Sequence, residues 1–244
     1  MRKPTIKEEA YFNWRGKEVS RTENLSDIVF ALALTLVVAS SVPASFTEIA
    51  SLWRDCIAIF VCFTMLLLLW YSHYLFFRRY DLEDKKTMLL NAILMFMVMV
   101  FAYPLKFLAT FLVNLLTGGF ENDLAIASVL SMEQAPWLTV IYSLGYGTVF
   151  FVFALLYHHA YKSADDLGLS DAERIMTRAT VFEYFTHVLF AIAVAVLALM
   201  LPKGPNLLAG SLFILLGMPI KWINKRAEQK VANITGSDTV LGTP

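Results

Sequence analysis

Residues 52–77 read LWRDCIAIFVCFTMLLLLWYSHYLFF, and after Arg54 and Asp55 they hold no charged side chain. A bilayer core about 30 Å thick takes roughly 20 apolar helical residues. This run is long enough to cross it, and five further stretches are candidates of the same kind, at 26–42, 87–116, 137–161, 178–201 and 206–221. The first is short and opens with polar residues, which suits a helix surrounded by other helices rather than lipid. The stretch at 87–116 is too long to lie wholly in lipid unless tilted, and Pro104 with Lys106 marks where it is expected to leave the core. The fold class read from these runs is all-α, a polytopic membrane protein with six transmembrane helices.

Composition agrees with that reading. Of the 244 residues 58% are apolar and 16% charged, against about 45–50% and about 25% in soluble domains. The formal net charge is zero, so no overall acidic or basic balance points to nucleic acid. Cys56 and Cys62 lie six residues apart in one apolar run; a helix points them in different directions, so they read as buried small hydrophobes and not as a disulfide. The first 25 residues are polar and charged, and no removable signal peptide is expected.

Charge between the spans sets the orientation. Seventeen of the 20 Lys and Arg fall in the amino-terminal segment, the second and fourth connections and the tail, while 117–136 carries only acidic charges. Six spans with both termini in the cytoplasm satisfy every loop. Three regions follow: a cytoplasmic segment at 1–25, a transmembrane domain at 26–225, and a polar cytoplasmic tail at 226–244 that is expected to be disordered.

Polar residues inside spans are functional candidates because hydrocarbon makes them costly. Alternating helix direction brings Ser26 and Asp27, then Trp70 and His73, then Asn91 to one depth near the cytoplasmic side, with Arg21 just below. Two readings fit. Asn24, Ser26 or Asp27 can cap the first helix while Trp70 serves as a belt residue, or Arg21, Ser26, Asp27, Trp70, His73 and Asn91 form a structural polar network.

The segment from Arg21 to Asp27, Arg-Thr-Glu-Asn-Leu-Ser-Asp, resembles the Arg-x-x-x-Phe-Ser-Asp signature of the transmembrane protein 175 family, with Leu25 in place of the usual Phe. That family comprises the lysosomal potassium channels and their prokaryotic relatives. The Trp70-x-x-His73 pair and Asn91 with Pro104 are similar to it as well. The resemblance implies a potassium-selective cation channel that conducts passively, is not an enzyme, and with one six-helix repeat assembles as a homotetramer in the cell membrane, the inner membrane in a bacterium. Potassium ions, the lipid bilayer and further copies of the chain are the expected partners, with no cofactor and no nucleic acid.

Along the first helix, Ile28, Leu32, Thr35 and Ala39 repeat at intervals of four and three, continue to Val42 and have Leu36 alongside. Periodicity alone favours ordinary apolar packing. The resemblance implies that this stripe lines the pore, with Leu32 as the hydrophobic constriction and Thr35 as a hydroxyl layer for selectivity. Gly145-Tyr146-Gly147 mimics a carbonyl filter, but within the run at 137–161 it has no room for a pore helix and re-entrant loop, so close helix packing is expected. His158 and His159 are adjacent, point apart, and do not suit a two-His metal site. A proton-coupled secondary transporter using Asp27 and His73 is the alternative function, although no repeats or broken helices support it. An intramembrane enzyme would need a nucleophile and base at one depth, and only Ser26 offers a hydroxyl in the polar layer.

Overall fold

The computed structural model describes residues 11–39, 46–117, 135–200, 212–213 and 215–241. They form six long helices: α1 (Arg21–Ala39), α2 (Phe46–Tyr80), α3 (Lys85–Thr117), α4 (Ala135–Lys162), α5 (Asp171–Met200) and α6 (Gly217–Leu241). Among the described residues four stretches are long and apolar enough to cross a membrane: Cys56–Tyr80, Lys85–Ala102, Pro136–Lys162 and Asp171–Met200. α1 has Arg21, Glu23 and Asp27 in its first two turns. Most of the sixth expected span and the acidic 117–136 connection lie outside the described residues.

Neighbours in sequence pack as neighbours in space. α1 lies against α2 and α3, α3 against α4, α4 most extensively against α5, and α5 against α6. The outer surface is apolar, with Phe60, Leu68, Phe96, Leu189 and Met200 exposed. An envelope of that kind requires hydrocarbon around it. An aromatic cluster joins α2, α4 and α5. There Phe76, Tyr80 and Tyr157 sit with ring centroids 5.3–5.5 Å apart, Tyr184 packs 5.3 Å from Tyr157, and the Tyr80 and Thr177 hydroxyls share a 2.7 Å hydrogen bond.

One expectation needs correction, and one element continues where a proline could have broken it. α3 runs through Pro104 to Thr117 and buries Lys106, while its membrane-length stretch is Lys85–Ala102. Proline removes only one amide from the ladder, and the Tyr142 hydroxyl donates to the Pro104 carbonyl from α4. The tail at 226–244, expected to be disordered, is helical through Leu241. Ala227 and Val231, one turn apart, are buried in the main core with Met176 and Leu169, so this stretch has an apolar stripe that its polar composition concealed.

Gly145-Tyr146-Gly147 lies within an unbroken α4. A Cβ on Gly145 would overlap the Phe101 ring of α3, and one on Gly147 would come within 2.9 Å of the Ala191 methyl of α5. These glycines admit neighbouring helices at close range. Cys56 and Cys62 are both free thiols, the second of them buried.

One end of the bundle gathers the amino-terminal strap, the turn from α2 to α3, the connection from α4 to α5 and the carboxy-terminal half of α6. Arg15, Arg78, Arg79, Lys85, Lys162 and Arg174 all belong to this end.

Candidate functional site

α1 has two dissimilar faces. Glu23, Ser26, Phe30, Ala33 and Val37 recur every three or four residues and are buried against the chain's own α2 and α3. On the opposite side Leu25, Ile28, Leu32, Thr35 and Leu36 are exposed, with Ile28 at 57% and Leu32 at 50%. That exposed side has no formal charge between Ile28 and Val38. Its hydroxyl is on Thr35, which donates to the Ala31 carbonyl at 2.8 Å. With its single proton directed at the helix backbone, Thr35 Oγ1 presents only lone pairs outward. The Ala39 side chain and Val42 lie outside the described residues.

The buried face is fixed by hydrogen bonds as well as by packing. Asn91 Nδ2 donates to Ser26 Oγ at 2.9 Å, and Ser26 Oγ donates to the Thr22 carbonyl at 2.9 Å. Asn91 Oδ1 therefore faces His73 Nε2, 2.8 Å away. A carbonyl oxygen can only accept, so this nitrogen carries the proton. His73 is 1% exposed and also meets the rings of Phe30 and Phe77. Separately, Trp70 Nε1 donates to Asp27 Oδ1 at 2.7 Å.

Five of the six residues expected in one polar layer are thus brought together, as two adjoining pieces: Ser26 with Asn91 and His73, and Asp27 with Trp70. Arg21 stands apart. It is the first residue of α1, exposed, and takes no part in either piece.

The cap of α1 also differs from the three candidates at 24–27. Ser20 Oγ accepts from the Glu23 amide at 3.2 Å, while Glu23 Oε2 accepts from the Ser20 amide at 3.1 Å, a reciprocal capping box. The same arrangement opens α5, where Ser170 and Glu173 exchange the equivalent bonds at 3.3 and 2.8 Å. Each capping glutamate also meets an arginine from elsewhere in the chain. Arg78, at the end of α2, lies 3.5 Å from Glu23. Arg15 grips Glu173 with both terminal nitrogens, at 2.8 and 3.1 Å.

Arg15 further donates from Nε to the Leu167 carbonyl and from its terminal nitrogens to the carbonyls of Asn13, Arg79 and Gly168. Residues 13–16 consequently form a strap tied to the ends of α2 and α4 and to the start of α5. Gly16 has to be small: a Cβ there would stand 2.7 Å from the Phe77 carbonyl oxygen. Two Ser-x-x-Glu motifs, at 20–23 and 170–173, are the sequence signal for these caps. No short-range pattern signals the Arg15 partner, 158 residues away.

His159 Nε2 lies 3.0 Å from Asp84 Oδ2, joining the end of α4 to the turn before α3. Asp84 also accepts from the Lys86 amide and the Thr87 hydroxyl. Partial burial pushes its carboxyl up, but the bonds from Thr87 and His159 outweigh that and hold it below its ordinary pKa. Deeper in the bundle, the Tyr146 hydroxyl bonds His187 Nδ1, and the imidazole stacks on Phe150 with centroids 4.2 Å apart. Among the described residues no three His, Cys, Asp or Glu side chains converge as a metal site would require.

A family model described as the endosomal/lysosomal potassium channel TMEM175 matches residues 21–102. A potassium channel from Marivirga tractuosa is 38% identical over 211 residues, covering 84% of this chain and 85% of that protein. A potassium channel from Chamaesiphon minutus is 26% identical, covering 68% and 77%. The fold is similar to the crystal structure of a variant of the potassium channel MtTMEM175 in complex with a nanobody fusion, with a TM-score of 0.78, 37% identity, and coverage of 90% of this chain and 97% of that one.

Two substitutions test the supports of α1. Asn91→Leu leaves the buried His73 N–H without its acceptor and should destabilise the fold by about 1–3 kcal/mol, read as a lower thermal midpoint of the detergent-purified protein. Glu173→Ala leaves Arg15 facing carbonyls alone. Because Glu173 is fully buried and Arg15 only partly so, a cost of about 3 kcal/mol, the low end for a broken buried pair, is expected. Limited proteolysis should then cut the strap near Arg15 and Lys17 faster than in the parent protein.

Proposed function

This chain belongs to the TMEM175 family of potassium channels, and from that premise we propose that it is a potassium-selective channel conducting passively through a pore lined by α1 from each of four subunits. The observation that carries the proposal is the division of α1 into a face bonded to its own subunit and an uncharged face left uncovered, with one hydroxyl layer at Thr35. The multi-pass architecture and the bacterial relatives favour an inner-membrane location. The basic end of the bundle, strap and α6 tail included, would face the cytoplasm, as positive charge between spans does. In that arrangement the sixth span, at 206–221, runs into the first residues of α6, and both termini are cytoplasmic.

On the proposed axis, four copies of Ile28, Leu32 and Leu36 form rings of aliphatic side chains. Leu32 is the narrowest, and an apolar constriction of this kind closes by excluding water. Thr35 lies three residues farther along, about 4.5 Å toward the outside, where four hydroxyl oxygens replace part of a potassium ion's hydration. Ala39 continues the lining at the outer end of α1. Asp27 and His73 do not suit a proton relay: Trp70 holds the exposed Asp27 and Asn91 holds the buried His73, in two separate hydrogen-bonded pieces. This argues against a proton-coupled transporter.

Reconstituted full-length protein in liposomes separates the two. A channel dissipates a potassium gradient as uncoupled current, whereas a transporter requires a second solute. Within that assay Leu32→Ala should raise current and weaken discrimination among cations, and unchanged conductance at equal incorporation would move the constriction elsewhere. Thr35→Val keeps the shape and loses the acceptor. It should lower the potassium-to-sodium permeability ratio severalfold, while Thr35→Ser retains more of it. Bi-ionic reversal potentials measure both, and equal wild-type ratios in the two variants would remove Thr35 from the mechanism.

A further inference from the structure

α6 also has two faces. Ile223, Ala227 and Val231 recur every fourth residue and turn toward the core, the latter two buried. Asn224 on the flank lies 3.4 Å from Glu183 of α5, which sets the register of the two helices. The opposite face carries Met218, Trp222, Lys225, Arg226 and Gln229, with Lys221 beside them, all exposed. The Arg226 guanidinium lies 3.7 Å above the Trp222 ring. From Gly217 to Ala227 the helix contains no acidic residue. Glu228, half-buried, follows Lys225 by three residues and borders the Lys221 and Lys225 edge of this face, while the Glu183 carboxylate belongs to the α5 side through Asn224.

We propose that the outward face of α6, formed by Lys221, Trp222, Lys225 and Arg226, binds the anionic headgroups of phospholipids in the leaflet at the basic end of the bundle. The orientation rests on the function proposed above; the surface itself does not. Three observations favour a headgroup over solvent alone. Three cations are grouped on one side and outnumber the single carboxylate at its edge, Glu228, so their field is not cancelled locally and a phosphate meets several donors at once. Met218 and Trp222, 72% and 55% exposed, are continuous with those cations. An apolar residue, an indole and a basic pair in succession along one face match the order of acyl chain, interface and phosphate. Arg226 held over the indole is preorganised, and its planar fork can grip phosphate oxygens in pairs while the ring occupies the interfacial depth. A soluble acidic partner has no use for the exposed Met218 and Trp222.

The test uses detergent-purified full chain, titrated with phosphatidylglycerol or with phosphatidylcholine of the same acyl chains, and counts bound lipids by native mass spectrometry. Phosphatidylglycerol should bind in preference to phosphatidylcholine. Replacing the three cations together, Lys221→Gln, Lys225→Gln and Arg226→Gln, should weaken phosphatidylglycerol binding by at least about tenfold and leave phosphatidylcholine unchanged. A charge-matched triple elsewhere at the same end, Lys17→Gln, Lys85→Gln and Lys86→Gln, should change it by less than about twofold. Unaltered binding in the α6 triple, or an equal loss in the control triple, overturns the proposal; the second outcome would mean that net charge alone attracts the lipid. Should the α6 triple fail to fold, Arg226→Gln and Trp222→Ala are read singly against Arg226→Lys, which must keep the preference. Lipid counting requires neither ion flux nor a fixed orientation, so failure here and failure of the channel reading are distinguishable.

Discussion

In lipid, one helix gains little by burying apolar surface against another, because the acyl chains are equally apolar. A helix that must keep a whole face uncovered therefore depends on hydrogen bonds for its position. The chain through His73, Asn91, Ser26 and the Thr22 carbonyl meets this constraint for α1. Each donor in it faces a group able only to accept or already committed as a donor elsewhere, which leaves one self-consistent pattern of protons. Phe30, Ala33 and Val37 then need only fit against α2 and α3; the angle of the helix about its own axis is set by Ser26 and, one residue on, by Asp27 with Trp70. That angle determines which side chains remain on the uncovered face.

The strap acts on the same helix from its end. Glu23 caps the first turn of α1 and meets Arg78 of α2, while Arg78 also donates to the Gly16 carbonyl. One residue earlier in the strap, Arg15 reaches Glu173 and the start of α5. The caps of two helices on different sides of the bundle are therefore joined through residues 13–20. The start of α5 and the first turn of α1 are thus linked by the bidentate Arg15–Glu173 contact and the 3.5 Å Arg78–Glu23 ion pair, and not by apolar packing alone.

What the sequence makes legible follows from the range of the physics involved. Lipid demands long unbroken apolar runs, and the structure has helices wherever the expected spans fall on described residues. Depth counting brought Ser26, Asp27, Trp70, His73 and Asn91 to one layer, because a helix advances a fixed distance per residue. Which atoms meet within that layer depends on rotation about each helix axis. Nothing local in the sequence reveals that Asp27 meets Trp70 while His73 meets Asn91, or that Arg21 remains outside. The caps were readable from Ser20 with Glu23 and Ser170 with Glu173, but the more polar cluster at 24–27 competed for the role. The helical tail was concealed because two small apolar residues, Ala227 and Val231, suffice to dock a turn-by-turn stripe among many polar neighbours.

Charge is distributed so that the uncovered face of α1 stays neutral although Asp27 lies just before it. The Trp70 donor takes Asp27 Oδ1, and the Thr35 hydroxyl directs its proton to Ala31. On the proposed pore axis, a cation between Ile28 and Val38 meets oxygen lone pairs and aliphatic carbon, with no carboxylate in that interval. On a neutral surface of this kind an ion is not held by Coulomb attraction, so what separates one monovalent cation from another is the cost of removing its water against the return from a few hydroxyl dipoles. Potassium gives up water more readily than sodium, and in the proposed tetramer the balance favours it only while the ring of Thr35 oxygens is narrow enough to require dehydration. On that reading position matters more than charge on this helix. The hydrogen bonds that fix the rotation of α1 then serve the proposed selectivity by deciding which side chains reach the axis.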